Sequence, residues 1–252
     1  MMLQVVNIEN MRLVWKKLGS NKITTYESNS QYTKNLKWRI LYIDKLTKTV
    51  EVTSSSLIQM VYFCGLEGYK NGVNVLNNIG NVYGGGKGAV SGRSIRKEDI
   101  DYITGFNKYE YRESDDYYGD IYYGEERSYT SGTFYNEDGS EMIASEKNPV
   151  IMRNYLYEYI FEDYIKDSVV LKMINTGSAY WFANQYIYLS KFGVSYGIFI
   201  NRINCMSGHG LFRNYKTDFT EVGSNVRPVV TLNSNIKTEN EKKDDIWQLV
   251  VE

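Results

Sequence analysis

Histidine is almost missing from this chain of 252 residues, which has a single one, together with only two cysteines and two prolines. One histidine and two distant cysteines, Cys64 and Cys205, do not make a four-ligand zinc site. Nor do two cysteines make a disulfide framework, and unpaired, mostly buried thiols are expected. No stretch reaches the roughly 18 to 20 consecutive apolar residues of a membrane span. The opening "MMLQVVNIENMRLVWKK" shows no apolar region followed by a small-residue cleavage site, so neither a signal peptide nor membrane insertion is expected. Net charge is lacking too: 29 Lys and Arg stand against 30 Asp and Glu, a formal −1. Nothing global draws the chain to nucleic acid.

Tyrosine is abundant, at 24 residues, and 42% hydrophobic residues are enough for a sizeable core. Tyrosine among Asn, Ser and Gly is the palette of half-buried strands and of binding loops. Charge is unevenly spread. Residues 1–60 carry nine basic and four acidic side chains, whereas residues 98–146 carry three and fourteen, which makes the middle of the chain an acidic face or loop.

Periodicity then suggests the elements. A short strand is expected in "MMLQVV", and "LKWRILYIDKLTKTVEVTSS" (36–55) reads as a hairpin, with Trp38, Ile40 and Tyr42 on one face and Asp44 to Lys48 as the turn. Residues 68–86 change period, with Val73, Leu76, Ile79 or Gly80, and Tyr83 at spacings of three to four, predicting an amphipathic helix ended by glycines. A second helix is expected over 93–104. With Arg96 as its N-cap, Ile95 and Ile100 have hydrophobic-staple spacing, and Glu98 and Asp99 fall in the first turn. The acidic, tyrosine-rich tract 107–140 has no clear period and reads as a long insertion with one hairpin at most. Residues 148–165 read either as a strand passing into a helix or as an irregular buried segment. From 177 onward come short strands in "SAYWFANQ", "KFGVSYGIFI", "HGLFRNY", "NVRPVVTL" and "IWQLVVE", the compact end of an α+β domain.

Motifs of catalysis fall short. His209 sits in "MSGHGLF" with Cys205 four residues away, but glycines on both sides mark a turn more than a catalytic pair. "GNVYGGGKGA" (80–89) has Asn81 where a phosphate loop needs its first glycine and Gly88 where it needs a hydroxyl. "SIRK" (94–97) has no companion motifs. Glu110, Glu113, Asp115, Asp116, Asp120, Glu125 and Glu126 lack the ordered spacing of a calcium loop and read as a solvated acidic face. Lys37 and Arg39 alternate with Trp38 and Ile40 as in an ordinary half-buried strand, not a nucleic-acid platform. In "GSNVRPVVTL" (223–232), Pro228 is expected to open a strand near a sheet edge. Arg227 is expected to bond carbonyls or a carboxylate of the core.

Tyr180-Trp181-Phe182-Ala183, Phe192-Gly193-Val194, Leu211-Phe212 and Val226-Arg227-Pro228-Val229-Val230 resemble the C-terminal part of DUF6273-type domains of Firmicutes and their prophages. "WRILYID", "GYKNGVNVLNNIGNVY", "GRSIRKEDIDYITGFNKYEY" and "YTSGTFY" resemble that family's opening hairpin, two helices and a later hairpin, so the resemblance covers nearly the whole chain. It implies a C-type lectin-like fold, akin to formylglycine-generating enzymes and to diversified phage receptor-binding proteins. The expected architecture is a single α+β domain over 1–252, with two helices packed on short twisted antiparallel sheets, long loops, and the acidic insertion at about 107–140. Trp38, Arg93, Trp181, Gly193, Arg227 and Pro228 are its structural signature. The enzyme's pair of C-terminal cysteines is matched only by Cys205, and the calcium-binding triplets of sugar-binding lectins are replaced by "KNPV" and "WFANQ".

The resemblance therefore implies no enzyme, cofactor or metal, but a phage or prophage virion protein assembled in the host cytoplasm. It would act as a binding module of tail or baseplate that recognises the host surface, or else as a head or tail decoration. A formylglycine-generating type of enzyme and a cytoplasmic interaction protein are the remaining alternatives. Partners would be other virion proteins or a host cell-surface component, with homo-oligomerisation compatible with virion symmetry. Tyr186, Tyr188, Ser195, Tyr196, Asn201, Asn204 and Asn214 are the candidate partner contacts, being rigid amphipathic rings or adaptable hydrogen-bonding groups.

Overall fold

The computed structural model describes residues 2–4, 36–58, 60–85, 88–109, 112–113, 121–165, 168–190, 193–214, 221–233, 236–243 and 246–251. Strands β1 (Met2–Gln4), β2 (Lys37–Asp44), β3 (Thr49–Ser54) and β4 (Met60–Phe63) lead to helix α1 (Gly65–Asn81), a 3-10 turn (Val82–Gly85), β5 (Ala89–Ser94) and α2 (Lys97–Thr104). The tract that follows holds β6 (Arg112–Glu113), β7 (Ile121–Tyr122), β8 (Glu126–Tyr129), β9 (Gly132–Tyr135), β10 (Glu141–Ala144), β11 (Val150–Arg153) and β12 (Tyr159–Ile160). Short helices α3 (Phe161–Tyr164) and α4 (Ser168–Ile174) precede β13 (Tyr180–Ser190), β14 (Gly193–Arg202), β15 (Cys205–Arg213), β16 (Val222–Asn225), β17 (Pro228–Leu232), β18 (Ile236–Lys243) and β19 (Ile246–Val251).

The architecture is mixed α+β with several sheets. Seven strands run in the order β18-β19-β1-β2-β3-β17-β5 and six in the order β12-β15-β14-β13-β16-β4, beside the two-stranded ladders β9/β10, β8/β11 and β6/β7. Two helices were expected, and four are found among the described residues. Of the strands expected to be short from 177 onward, β16 and β17 are, with four and five residues, but β13, β14 and β15 form an antiparallel meander of eleven, ten and nine residues. Both faces of this meander are buried. Trp181, Ile187, Val194, Tyr196 and Ile198 pack under Tyr69, Leu76 and Ile79 of α1, while Tyr180, Phe182, Tyr186 and Phe199 join Ile95, Ile100, Tyr157, Tyr159 and Phe161 on the other side. Two-sided burial gives near-continuous apolar runs, which hide strand length from the alternation rule.

Two short connections carry the chain directly from one large sheet to the other, β3 to β4 and β16 to β17. At the second passage Arg227 is 1% exposed. Its Nε donates to Ser54 O (3.1 Å), one terminal nitrogen to Ile174 O and the Tyr180 hydroxyl (both 3.2 Å), and the other to Met173 O (2.6 Å). Carbonyls at the end of α4, the negative end of that helix, thus receive the guanidinium. Pro228 opens β17, whose central position between β3 and β5 makes it second from the edge. Its carbonyl accepts from Thr53 Oγ1 (3.1 Å).

Other expectations are corrected in detail. The hairpin β2/β3 shifts register between Ile40 and Tyr42, so Leu41 is buried and Trp38, Ile40 and Tyr42 do not share one continuous face. Residues 93–94 belong to β5, and the second helix starts at Lys97. Arg96 is its N-cap; the Arg96 N–H donates to Asp99 Oδ2 (2.8 Å), and Ile95 and Ile100 are both buried as a staple requires. Helix α1 spans 65–81, with glycines at the end of the following turn. Gly80 touches β5 so closely that a Cβ there would fall inside the Arg93 carbonyl.

In the tract 107–140, "YTSGTFY" is no hairpin: β8 pairs with β11 and β9 with β10. Phe134 lies in the core beside Tyr129, so the second half of the supposed insertion is structural. Glu125 and Glu126 pair with Arg127 and Arg153. Glu110, Asp115, Asp116 and Asp120 lie outside the described residues, as does the side chain of Glu113.

Candidate functional site

The meander carries a groove of about 460 Å³ lined by Tyr186 and Tyr188 of β13, Ser195 of β14, Arg202 at the hairpin end, and Gly208 to Arg213 of β15. Its floor depends on glycine. Tyr186 stands over Gly197 and Gly208: a Cβ at Gly197 would meet the His209 carbonyl and the Tyr186 ring, and one at Gly208 the Leu156 side chain and that ring. At the rim, Arg202 lies 2.9 Å from His209 Nδ1. A guanidinium only donates, so Nδ1 accepts and the ring proton sits on Nε2. Burial and the Arg202 charge hold the His209 pKa below its ordinary value, leaving the ring neutral at neutral pH. Behind β15, Glu158 accepts from the Gly208 N–H (2.6 Å). Its pKa is raised by burial, against the opposing pull of that bond and Arg202.

Three of the seven expected contacts, Tyr186, Tyr188 and Ser195, therefore line one groove, with Tyr186 and Ser195 themselves buried and Tyr188 half-buried. The others do not. Tyr196 is fully buried, stacked on Phe212 at 4.7 Å with its hydroxyl accepting from the Tyr135 N–H. Asn201 is fully buried as well, so both are corrected from partner contacts to interior residues. Asn204 is exposed in the β14–β15 turn, where its oxygens accept from the Phe161 N–H (2.9 Å) and the Asn175 amide (3.2 Å). Asn214 clamps Val194 through both backbone and side chain. Arg202 and Arg213 were missed, and His209 was weighed only as a catalyst. Across a two-residue turn, Arg202 and His209 sit within reach of one another, and that pairing needed the register.

The signature residues are structural. Trp181 is fully buried and its indole N–H donates to Val61 O (2.9 Å). Trp38 packs against Tyr83. Arg93 grips Asp99 with two bonds of 2.6 and 2.8 Å and reaches Glu51 at 3.3 Å. Gly193 opens β14 at φ 133°, a conformation that favours glycine. Cys64 and Cys205 are not disulfide-bonded, and burial raises both thiol pKa values, with Glu221 adding at Cys64 and Glu158 adding at Cys205.

A second polar centre lies along α2. Asp101 accepts from the hydroxyls of Tyr157 and Tyr159, and burial lifts its pKa to about 6 despite those bonds and the Lys97 charge. Lys97 is buried against aromatic rings. Among the described residues no cluster of three or more His, Cys, Asp or Glu is placed to hold a metal ion, and no helix is long and apolar enough to cross a membrane. Comparison with protein-family models, with curated proteins and with solved structures finds no match.

Proposed function

We propose that this protein is a non-enzymatic binding module of a phage or prophage particle, on a C-type lectin-like scaffold, that recognises the host surface from tail or baseplate. The groove on the meander carries the reading. It is lined by Arg202, Arg213, the His209 imidazole and the half-buried Tyr188, a combination suited to a surface glycan bearing phosphate or carboxylate groups. The raised thiol pKa of Cys205 argues against a nucleophilic or formylglycine-generating role, because the reactive thiolate is depleted.

Labelled antibody viewed by electron microscopy on purified particles is expected to decorate the tail tip or baseplate. Absence from particles overturns the proposal, and labelling of the head shifts the assignment to decoration. Particles carrying Arg202→Ala are expected to adsorb to host cells about tenfold or more weakly, and unchanged adsorption removes the groove from the interaction.

A further inference from the structure

We infer that the cavity beside the start of α2 is a second ligand site, in which the amine of Lys97 forms a reversible imine with a small neutral aldehyde or ketone. This does not rest on the groove over the meander. The cavity, about 280 Å³, has space for roughly nine waters at about 30 Å³ each. Lys97, Tyr123, Tyr155 and Asn184 line it, and the exposed Glu98 and Glu137 on its wall connect it to solvent.

The amine is held in place. Lys97 is 5% exposed, and its Nζ sits 4.0 Å from the ring centre of Tyr157, 4.8 Å from that of Phe199 and 5.4 Å from that of Tyr123. Its backbone N–H is tied to Asn184 Oδ1 at 2.8 Å. As the first residue of α2, it faces the positive end of the helix, which disfavours an ammonium. Burial lowers its pKa to about 8, with Lys108 pushing the same way and Glu98 and Asp101 opposing. At neutral pH about a tenth of Lys97 is then free amine, on the order of a hundredfold more than an ordinary lysine offers. Two carboxylates on the wall repel an anionic carbonyl compound, which is why a neutral one fits.

The chemistry closes without an oxidant or reductant. Glu98 Oε1, 3.7 Å from Nζ, takes a proton from the ammonium. The nitrogen lone pair forms a bond to the carbonyl carbon as the C=O π electrons move to oxygen, and one nitrogen proton passes to that oxygen through solvent in the open cavity, giving a carbinolamine. Glu98 returns the proton to its hydroxyl, and water leaves as the C=N bond forms.

The test uses the whole protein with glycolaldehyde at pH 7 and cyanoborohydride, which supplies hydride to fix the imine as a hydroxyethyl amine, followed by peptide mass mapping. The lower basicity of the amine offsets part of its larger free fraction, and Lys97 is expected to label about tenfold faster than the exposed Lys45 and Lys48. A lysine that serves only to pack against Tyr157 would be shielded, so labelling of Lys97 no faster than Lys45 overturns the proposal. Glu98→Gln also removes a charge that raises the Lys97 pKa, so rates are compared above about pH 10, where the amine is free in both proteins, and labelling at Lys97 is expected to slow about tenfold while Lys45 is unchanged. An equal rate at Lys97 overturns the proton route through Glu98.

Discussion

The two faces of the β13–β15 meander are both buried, yet they are held by different forces. Under α1 the contacts are almost wholly apolar, centred on Trp181, Tyr196 and Phe212. A tryptophan removing roughly 150–250 Å² from water contributes about 4–6 kcal/mol at about 25 cal/mol per Å². The opposite face mixes rings with charge: Arg227 on carbonyls, Asp101 under two phenols, and Lys97 over Tyr157. Burying area is tolerant of small shifts, whereas a buried charge accepts only the geometry that satisfies it. The first face supplies bulk stability, and the second fixes how the chain crosses from sheet to sheet.

The largest effect that tests this contrast is expected from Arg227→Ala. It opens a cavity and leaves the Ser54, Met173 and Ile174 carbonyls without their donor, a loss of about 5 kcal/mol in a denaturant titration. A loss under about 1 kcal/mol would erase the distinction between the faces. Asp101 comes next. With a folded pKa of about 6 against about 3.9 unfolded, the native state holds more protons between those values, so stability falls as pH rises from about 4 through about 6. Asp101→Asn is expected to remove that fall, on the order of 2–3 kcal/mol above pH 6, when unfolding is followed from pH 4 to 7.

On the apolar face, Trp181→Phe is expected to cost about 2 kcal/mol with little dependence on pH, through lost volume and the lost bond to Val61. A strong pH dependence there would show that the faces are coupled. The smallest effect is expected at the surface pair Arg153–Glu126, about half exposed on both sides. Arg153→Ala should leave the denaturation midpoint unchanged.

Local rules made much of this legible. The N-cap at Arg96, the staple of Ile95 and Ile100, Pro228 at the first position of its strand, and Arg227 on core carbonyls all follow from chemistry within a few residues or from one buried charge. What was hidden depends on distant chain. The bulge at Leu41 changes which residues face inward, and no turn residue announces it. Tyr196 and Asn201 looked like contact residues because tyrosine and asparagine suit binding loops, but alternation on a sheet buried on both faces sends each of them inward. The groove was half visible, through Tyr186, Tyr188 and Ser195. Its arginines and histidine come together only when β14 folds back on β15.

The place of β17 has a consequence for synthesis. This strand, made from residues 228–232, lies between β3, made from 49–54, and β5, made from 89–94. The N-terminal hairpin and β5 therefore have no common neighbour until most of the chain has left the ribosome. Loop closure over such separations is slow, and a nascent chain waiting for its middle strand exposes two sheet edges meanwhile. The protein is thus expected to fold late and as a unit, with truncations before residue 228 recovered as aggregates instead of partial domains.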